Sequence, residues 1–198
     1  MSQPPPLERL PPPLLRDEPW ANGRGRTTEL ARAPAAPDWR WRISIAQVDA
    51  AGPFSDYPGT QRQLAALDGR LRLRFGDAPA RTLARLQVLR FAGSPAPYAE
   101  LPDGPVRVFN LITRECEATL LARPLVGALL LPAAPLWLVH ALAGGMRLQR
   151  EGRTLALEAG ATARLAGGAR LDGQGEVLLV RVQDCAEIES GAQRSSRV

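Results

Sequence analysis

Lysine is absent from this 198-residue chain, and all 25 of its basic residues are arginine. The formal net charge is +5 at pH 7, and the sequence pI is about 10.4. A basic balance can indicate a nucleic-acid-binding surface, but such surfaces concentrate their cations on one face. The arginines here are scattered, without a run of five or six, so we expect no nucleic-acid partner.

Histidine and cysteine are scarce as well. The only histidine is His140, and the two cysteines, Cys116 and Cys185, are 69 residues apart. A metal centre of the kind found in all-β enzymes needs several imidazole and carboxylate ligands around one ion. We therefore expect no metal and no other cofactor, and we expect His140 to fill a strand position. The cysteines are predicted to be two reduced, partly buried thiols.

Long apolar runs are missing too. No stretch of 18 apolar residues occurs, so we expect no membrane-spanning helix. The N-terminus has no basic region followed by an apolar stretch, which predicts no secretory signal and a cytoplasmic location. Residues 1–15 are predicted to be a proline-rich lead-in that is ordered where Leu14 and Leu15 dock, and residues 187–198 a flexible tail.

Short segments of alternating polarity are what the sequence contains instead. Residues 39–46 alternate in this way, which predicts a strand with Trp41 and Ile43 on one face and Arg42 and Ser44 on the other. The same alternation recurs in residues 70–75, 146–150 and 177–182. Residues 30–36 and 82–89 are ambiguous, but too short for convincing helices. Many short strands separated by turn residues indicate an all-β sandwich or barrel.

An internal repeat supports a barrel. Residues 66–73 align with residues 141–148 at an offset of 75, and each segment contains a glycine before an alternating strand. A repeat of this kind predicts a duplicated supersecondary unit. Strand, glycine turn and strand is typical of a small jelly-roll barrel of the cupin kind. Such barrels can pair through exposed strand edges, so a homodimer is an open alternative to a monomer.

Polar groups concentrate in the first half of the chain. Residues 20–29 form a glycine-broken segment in which Asn22 and Thr27 offer neutral hydrogen-bonding groups. The face that carries Arg42 and Ser44 either meets solvent or, in a barrel, points inward, where an arginine must be paired or meet an anion. No phosphate-binding loop and no nucleophile elbow is present in the sequence.

Arginine recurs with serine or asparagine in the other polar segments. Residues 52–62 are rich in turn formers and aromatics and end at Arg62, and residues 109–114 carry Asn110 and Arg114 at the end of an apolar strand. The candidate ligand-binding residues are Asn22, Thr27, Glu29, Arg42, Ser44, Arg62, Asn110 and Arg114.

Taken in order, these segments resemble the HutD/Ves family. The resemblance covers about residues 14–115 and rests on Pro19-Trp20-Ala21-Asn22-Gly23-Arg24-Gly25 with Thr27 and Glu29, Trp41-Arg42-Ile43-Ser44-Ile45-Ala46, Gly52-Pro53-Phe54-Ser55, Tyr57-Pro58-Gly59, Arg62, Leu67-Asp68-Gly69 and Phe109-Asn110-Leu111-Ile112-Thr113-Arg114. It implies a metal-free fold of two tandem cupin-like (RmlC-like jelly-roll) β-barrels, a bicupin. Residues 16–118 would form the N-terminal half, which carries the motifs, and residues 119–186 the C-terminal half. The family is linked to histidine utilisation in many bacteria, with a proposed regulatory or flux-limiting role, and elsewhere to stress or cold response.

Three functions follow as hypotheses. The first is a protein that binds a small anionic metabolite, such as a formylated or plain amino-dicarboxylate, with Arg42, Arg62 and Arg114 meeting carboxylate. The alternative is a metal-independent cupin enzyme, an isomerase or hydrolase, that uses Glu29 as general base. The third is an interaction module whose arginine-rich surface meets acidic protein or RNA.

Overall fold

The structure, a computed structural model, describes residues 6–11, 17–20, 23–35 and 38–185. Asn22, Leu14, Leu15 and the predicted tail lie outside these described residues. Within them the chain forms strands and no helix, so they contain no helix long and apolar enough to cross a membrane. The strands, in chain order, are β1 (Glu8–Arg9), β2 (Asp17–Pro19), β3 (Gly25–Ala33), β4 (Trp41–Val48), β5 (Gly52–Pro53), β6 (Gln61–Ala66), β7 (Leu71–Arg74), β8 (Arg81–Leu83), β9 (Val88–Ala92), β10 (Tyr98–Glu100), β11 (Val106–Thr113), β12 (Cys116–Leu131), β13 (Leu136–Arg150), β14 (Arg153–Glu158), β15 (Thr162–Leu165) and β16 (Ala169–Cys185).

These strands form three sheets. The six-stranded sheet has the order β2-β3-β4-β11-β6-β9, and the four-stranded sheet has the order β5-β10-β7-β8. Both are built from the first half of the chain. The third sheet has the order β1-β15-β13-β16-β12, with β14 paired to β13, so only β1 crosses from the N-terminal part to the C-terminal half. The all-β prediction is confirmed. The described strands leave each of the three sheets open.

The two copies of the internal repeat take different paths. In the first, the chain turns at Gly69 and passes from β6 in the six-stranded sheet to β7 in the four-stranded sheet. In the second, it continues along β13, with a register shift between Ala141 and Ala143. Gly69 and Gly144 nevertheless share a left-handed backbone, with φ of +67° and +77°. A Cβ would collide with the Val106 side chain at Gly69 and with a backbone carbonyl at Gly144, so both positions require glycine.

A buried apolar cluster joins the two halves. Trp41 and Ile43 of β4 and Leu111 of β11 pack in one cluster with Leu120 of β12 and Leu178 of β16. Each half also has its own interior cluster. The predicted apolar face of β4 is therefore buried against the C-terminal half, which fixes the six-stranded sheet from behind and leaves its other face for the site.

Gln63 strengthens this junction. Its Nε2 donates to the Ala118 carbonyl at 2.7 Å, and its Oε1 accepts from the Leu120 N–H at 2.8 Å. The side-chain amide thus satisfies two backbone groups of β12 at the edge of the third sheet, where none of the described strands pairs with them.

The expectation of two reduced thiols is wrong. Cys116 is disulfide-bonded, and no free cysteine occurs in the described part of the chain. The register of the β12–β16 pair places Cys116 opposite Cys185. Residues opposite each other in an antiparallel pair lie within disulfide range. The 69-residue separation in sequence gives no sign of this pairing, which only the β12–β16 register creates.

Candidate ligand-binding site

A cavity of about 150 Å³ lies on the free face of the six-stranded sheet. Residues directly opposite each other on antiparallel strands point to the same face. One such row runs across β2, β3, β4 and β11 and consists of Glu18, Thr27, Ala46 and Val108. All four line the cavity.

Two further rows on the same face supply the charged and amide groups. Ser44 of β4 lies opposite Asn110 of β11. In the next row, Arg42 and Arg62 lie on either side of Ile112. These residues also line the cavity. Because Ser44 is only 3% exposed, this face points into the protein and not into solvent.

Aromatic side chains close the cavity from the opposite side. Trp20 and Phe54 meet edge to face, with ring centroids 6.1 Å apart. The remaining lining residues are Pro19, Ser55 and Tyr57. This part of the lining is therefore largely aromatic, and most of the polar groups come from the sheet, an arrangement that suits a small polar ligand.

Arg62 forms the floor and is the most unusual group in the cavity. It is 5% exposed, and its guanidinium lies 5.1–5.6 Å from the ring centroids of Phe54, Tyr57 and Phe91. Its Nη1 donates to the Ser55 carbonyl at 3.2 Å and its Nη2 to Asn110 Oδ1 at 2.9 Å. Its Nε is buried with no partner. Within the described residues, no carboxylate forms an ion pair with Arg62.

Burial lowers the pKa of Arg62 to about 10; the nearby Tyr57 raises it and Arg42 lowers it further. The guanidinium therefore stays charged at neutral pH. A buried cation with an idle N–H donor and no counter-ion is the environment in which an anion binds strongly.

Arg42 is partly neutralised. Its Nε lies 2.6 Å from Glu29 Oε2, while the other oxygen of Glu29 lies 3.2 Å from Arg32 Nε. One carboxylate is thus shared by two guanidiniums. The Nη1 of Arg42 lies 3.5 Å from the Tyr57 hydroxyl, so the free side of Arg42 adds positive charge beside Arg62.

Two neutral side chains use their acceptor atoms for protein partners. Asn110 uses its Oδ1 to accept from Arg62, which leaves its amide N–H groups for the cavity. The Thr27 hydroxyl accepts from the Trp20 indole N–H at 2.8 Å, so its own O–H is free to donate. The floor and sides of the cavity are therefore rich in donors, which suits a ligand with several acceptor oxygens.

The structure brings together most of the predicted site residues. Thr27, Arg42, Ser44, Arg62 and Asn110 all line this cavity. Glu29 forms an ion pair with Arg42 and is not among the lining residues. Arg114 lies beyond the end of β11, where its guanidinium is 5.7 Å from the Trp39 ring centroid, and it does not line the cavity either. Asn22 lies outside the described residues.

Sequence reasoning missed nine of the fourteen lining residues, among them three aromatic residues and Glu18. Trp20, Phe54 and Tyr57 fall within the motif segments, and their aromatic character was the available signal. No feature of the sequence pointed to Glu18, because only the pairing of β2 with β3 places it on the cavity face.

His140 lies outside this cavity, on β13. It is 3% exposed, and its Nδ1 is 2.9 Å from the Thr162 hydroxyl oxygen. Burial lowers the pKa of His140 to about 4, so the ring is neutral at physiological pH. In the described part of the chain, no group of three or more His, Cys, Asp or Glu side chains is placed to hold a metal ion.

Sequence comparison identifies relatives of this chain. The family model named HutD matches residues 14–179. Protein Ves of Cronobacter sakazakii is 41% identical over 103 residues, which are 50% of this chain and 57% of Ves. The chain spans about half the length of the curated relatives it matches.

Solved structures resemble the whole fold. A conserved protein of unknown function from Pseudomonas aeruginosa PAO1 is 29% identical with a TM-score of 0.77, covering 90% of this chain and 95% of that chain. HutD from Pseudomonas fluorescens SBW25, in a formate condition, is 26% identical with a TM-score of 0.71, covering 89% and 94%. A Cupin 2 conserved barrel domain protein from Leptotrichia buccalis is 13% identical with a TM-score of 0.51, covering 79% and 88%. This last similarity is one of fold alone, and it shows that the all-β architecture is cupin-like.

Proposed function

The chain belongs to the HutD family, and from that premise and the charge of its cavity we propose that it binds a small carboxylate metabolite without a metal ion. The observation that carries the proposal is Arg62, a buried guanidinium with an unpartnered Nε and no carboxylate partner among the described residues. A ligand carboxylate beside this guanidinium would supply the missing counter-ion.

The energetic reason lies in the pKa of Arg62. Burial lowers this pKa to about 10, which corresponds to about 3 kcal/mol by which the protein disfavours the charged form. Such a cost is tolerated where function needs the charge. An anion that enters the cavity offsets part of this cost, and that gain favours the bound state.

The size of the cavity limits what can lie fully inside it. A cavity of about 150 Å³ accommodates a molecule of about benzene size. A short carboxylate fits within this volume, and a longer ligand would extend toward the exposed edge at β2. Asn110, Ser44 and Thr27 would fix the orientation of the carboxylate through neutral hydrogen bonds.

We place this binding within a regulatory or flux-limiting role in the cytoplasm, similar to the role proposed for the family in histidine utilisation or stress response. The same proposal includes a bicupin organisation, supported by the division of the sheets between residues 17–113 and residues 116–185. The enzymatic alternative has less support, since Glu29 is bound to two arginines and does not line the cavity.

A thermal-shift screen tests the proposal. Purified protein is heated with formate, acetate, short dicarboxylates and histidine-pathway acids, each with and without EDTA. At a ligand concentration of about 100 times Kd, binding raises the free energy of unfolding by about 2.7 kcal/mol, which corresponds to an increase in Tm of about 5–10 °C. We expect such an increase for at least one acid, unchanged by EDTA.

Two variants make this test specific. Asn110→Asp is nearly isosteric and places a carboxylate beside Arg62, so it should retain the fold and abolish the shift. Arg62→Met should abolish it as well, whereas Arg90→Met, at an exposed arginine of β9, should leave it intact. A shift that survives Asn110→Asp, or one that disappears in EDTA, would contradict the proposal.

A further inference from the structure

Glu18 gives the cavity a second, opposite charge. It lies on β2, the edge strand of the six-stranded sheet, and its register partner is Thr27 of β3. The pleat therefore directs the Glu18 side chain to the same face as Thr27, Ala46 and Val108. The side chain is exposed, and its residue lines the cavity. Among the described residues, the Glu18 carboxylate has neither an ion-pair nor a hydrogen-bond partner.

The two ends of the cavity thus carry opposite charges. At its floor, the buried Arg62 has no carboxylate partner among the described residues, and Arg42 shares Glu29 with Arg32. At its rim, the Glu18 carboxylate is equally unpaired. A ligand with a negative group at one end and a positive group at the other would complement both ends.

We infer that the ligand class of this site is an aminocarboxylate, with its carboxylate at Arg62 and its ammonium group toward Glu18. The inference rests on the proposed carboxylate binding and deepens it. Glu18 also selects against a second carboxylate at the rim, because two negative charges would meet there. A dicarboxylate is therefore disfavoured relative to an aminocarboxylate of the same length.

The expected preference is modest, because Glu18 is exposed to solvent. Exposed ion pairs contribute about 0.2–1 kcal/mol, which corresponds to a change in affinity of about 1.4- to fivefold. At low salt we expect the upper part of this range, about two- to fivefold. The preference should decrease as salt is added, since exposed charges are screened.

Isothermal titration calorimetry at low salt provides the test. The full chain is titrated with butyrate, 4-aminobutyrate and succinate, which share a four-carbon skeleton and differ only in the distal group. The distance between Arg62 and Glu18 determines how long a ligand must be to reach both. The amino acids and the plain acids are therefore compared at every length from two to six carbons. At one or more lengths, the aminocarboxylate should bind about two- to fivefold tighter than the plain acid, and succinate should bind weaker than butyrate.

Variants assign the effect to Glu18. Glu18→Gln should remove the advantage of the amino acid and strengthen succinate binding, while butyrate affinity changes little. Glu117→Gln, at an exposed glutamate on the edge strand β12, should preserve the wild-type preference.

The outcomes separate this inference from the proposed function. Equal binding of amino and plain acids at every length, or a preference that persists in Glu18→Gln, overturns the aminocarboxylate inference. The proposed function would survive that result, provided that carboxylates bind the wild type and fail to bind Asn110→Asp. Failure of every carboxylate to bind overturns both.

Discussion

Acid should destabilise this protein through His140. The ring is buried, its pKa lies near 4 instead of 6.5, and burial is the cause. Because the native state keeps the ring neutral, the stability linked to His140 is fully present above pH 6.5 and is lost as the pH falls toward 4. Between pH 7 and pH 5, the unfolded chain takes up most of one proton at this site and the native state almost none. Linkage then gives a loss of about 2 kcal/mol over this interval.

Urea unfolding followed by tryptophan fluorescence measures this loss. The unfolding free energy is determined at pH 7, 6 and 5 for the wild type and for His140→Gln, whose amide can still meet the Thr162 hydroxyl and does not titrate. The carboxylates contribute equally in both proteins, so the wild type should lose about 2 kcal/mol more than the variant. Equal losses, or an NMR titration of His140 with a midpoint near 6.5, would refute the reasoning.

Three further predictions concern single positions. Gly144→Ala should lower the unfolding free energy by more than about 1 kcal/mol, because its backbone is left-handed and a Cβ meets a carbonyl, whereas Gly145→Ala, with open space around it, should have little effect. Gln63→Ala should lower the unfolding free energy measured in urea by about 3 kcal/mol, since two backbone groups of β12 lose their partner. Gln61→Ala, at an exposed position of the same strand, should leave it nearly unchanged. Glu29→Gln should tighten carboxylate binding by about two- to fivefold in calorimetry, because it removes the carboxylate that partly neutralises Arg42; weaker binding would contradict this account.

The fold was predictable where polarity alternates. Strand β4, residues 41–48, follows directly from that period, because its apolar residues must face a core. The long strands β12 and β16 were not predictable in their full length. Pro124 interrupts the pattern of β12, yet an edge strand tolerates proline because the missing N–H would face away from its neighbour. The placement of Cys116 opposite Cys185 likewise depends on register, which local pattern does not encode.

The site was predictable only in part, for a related reason. Alternation places Arg42 and Ser44 on one face but does not say whether that face meets solvent. Both faces of β4 are covered, one by the C-terminal half and one by the cavity walls, and this depends on contacts between distant segments. Glu18 enters the site through the pairing of β2 with β3, a contact that has no trace in composition or periodicity.

The central claim is that Arg62 forms the floor of an anion-binding cavity. A crystal structure of the protein in saturating acetate tests it most directly. We predict an acetate carboxylate with an oxygen within about 3 Å of a guanidinium nitrogen of Arg62, adjacent to Asn110. A cavity that contains only water, with acetate absent or bound solely elsewhere on the surface, would contradict the account.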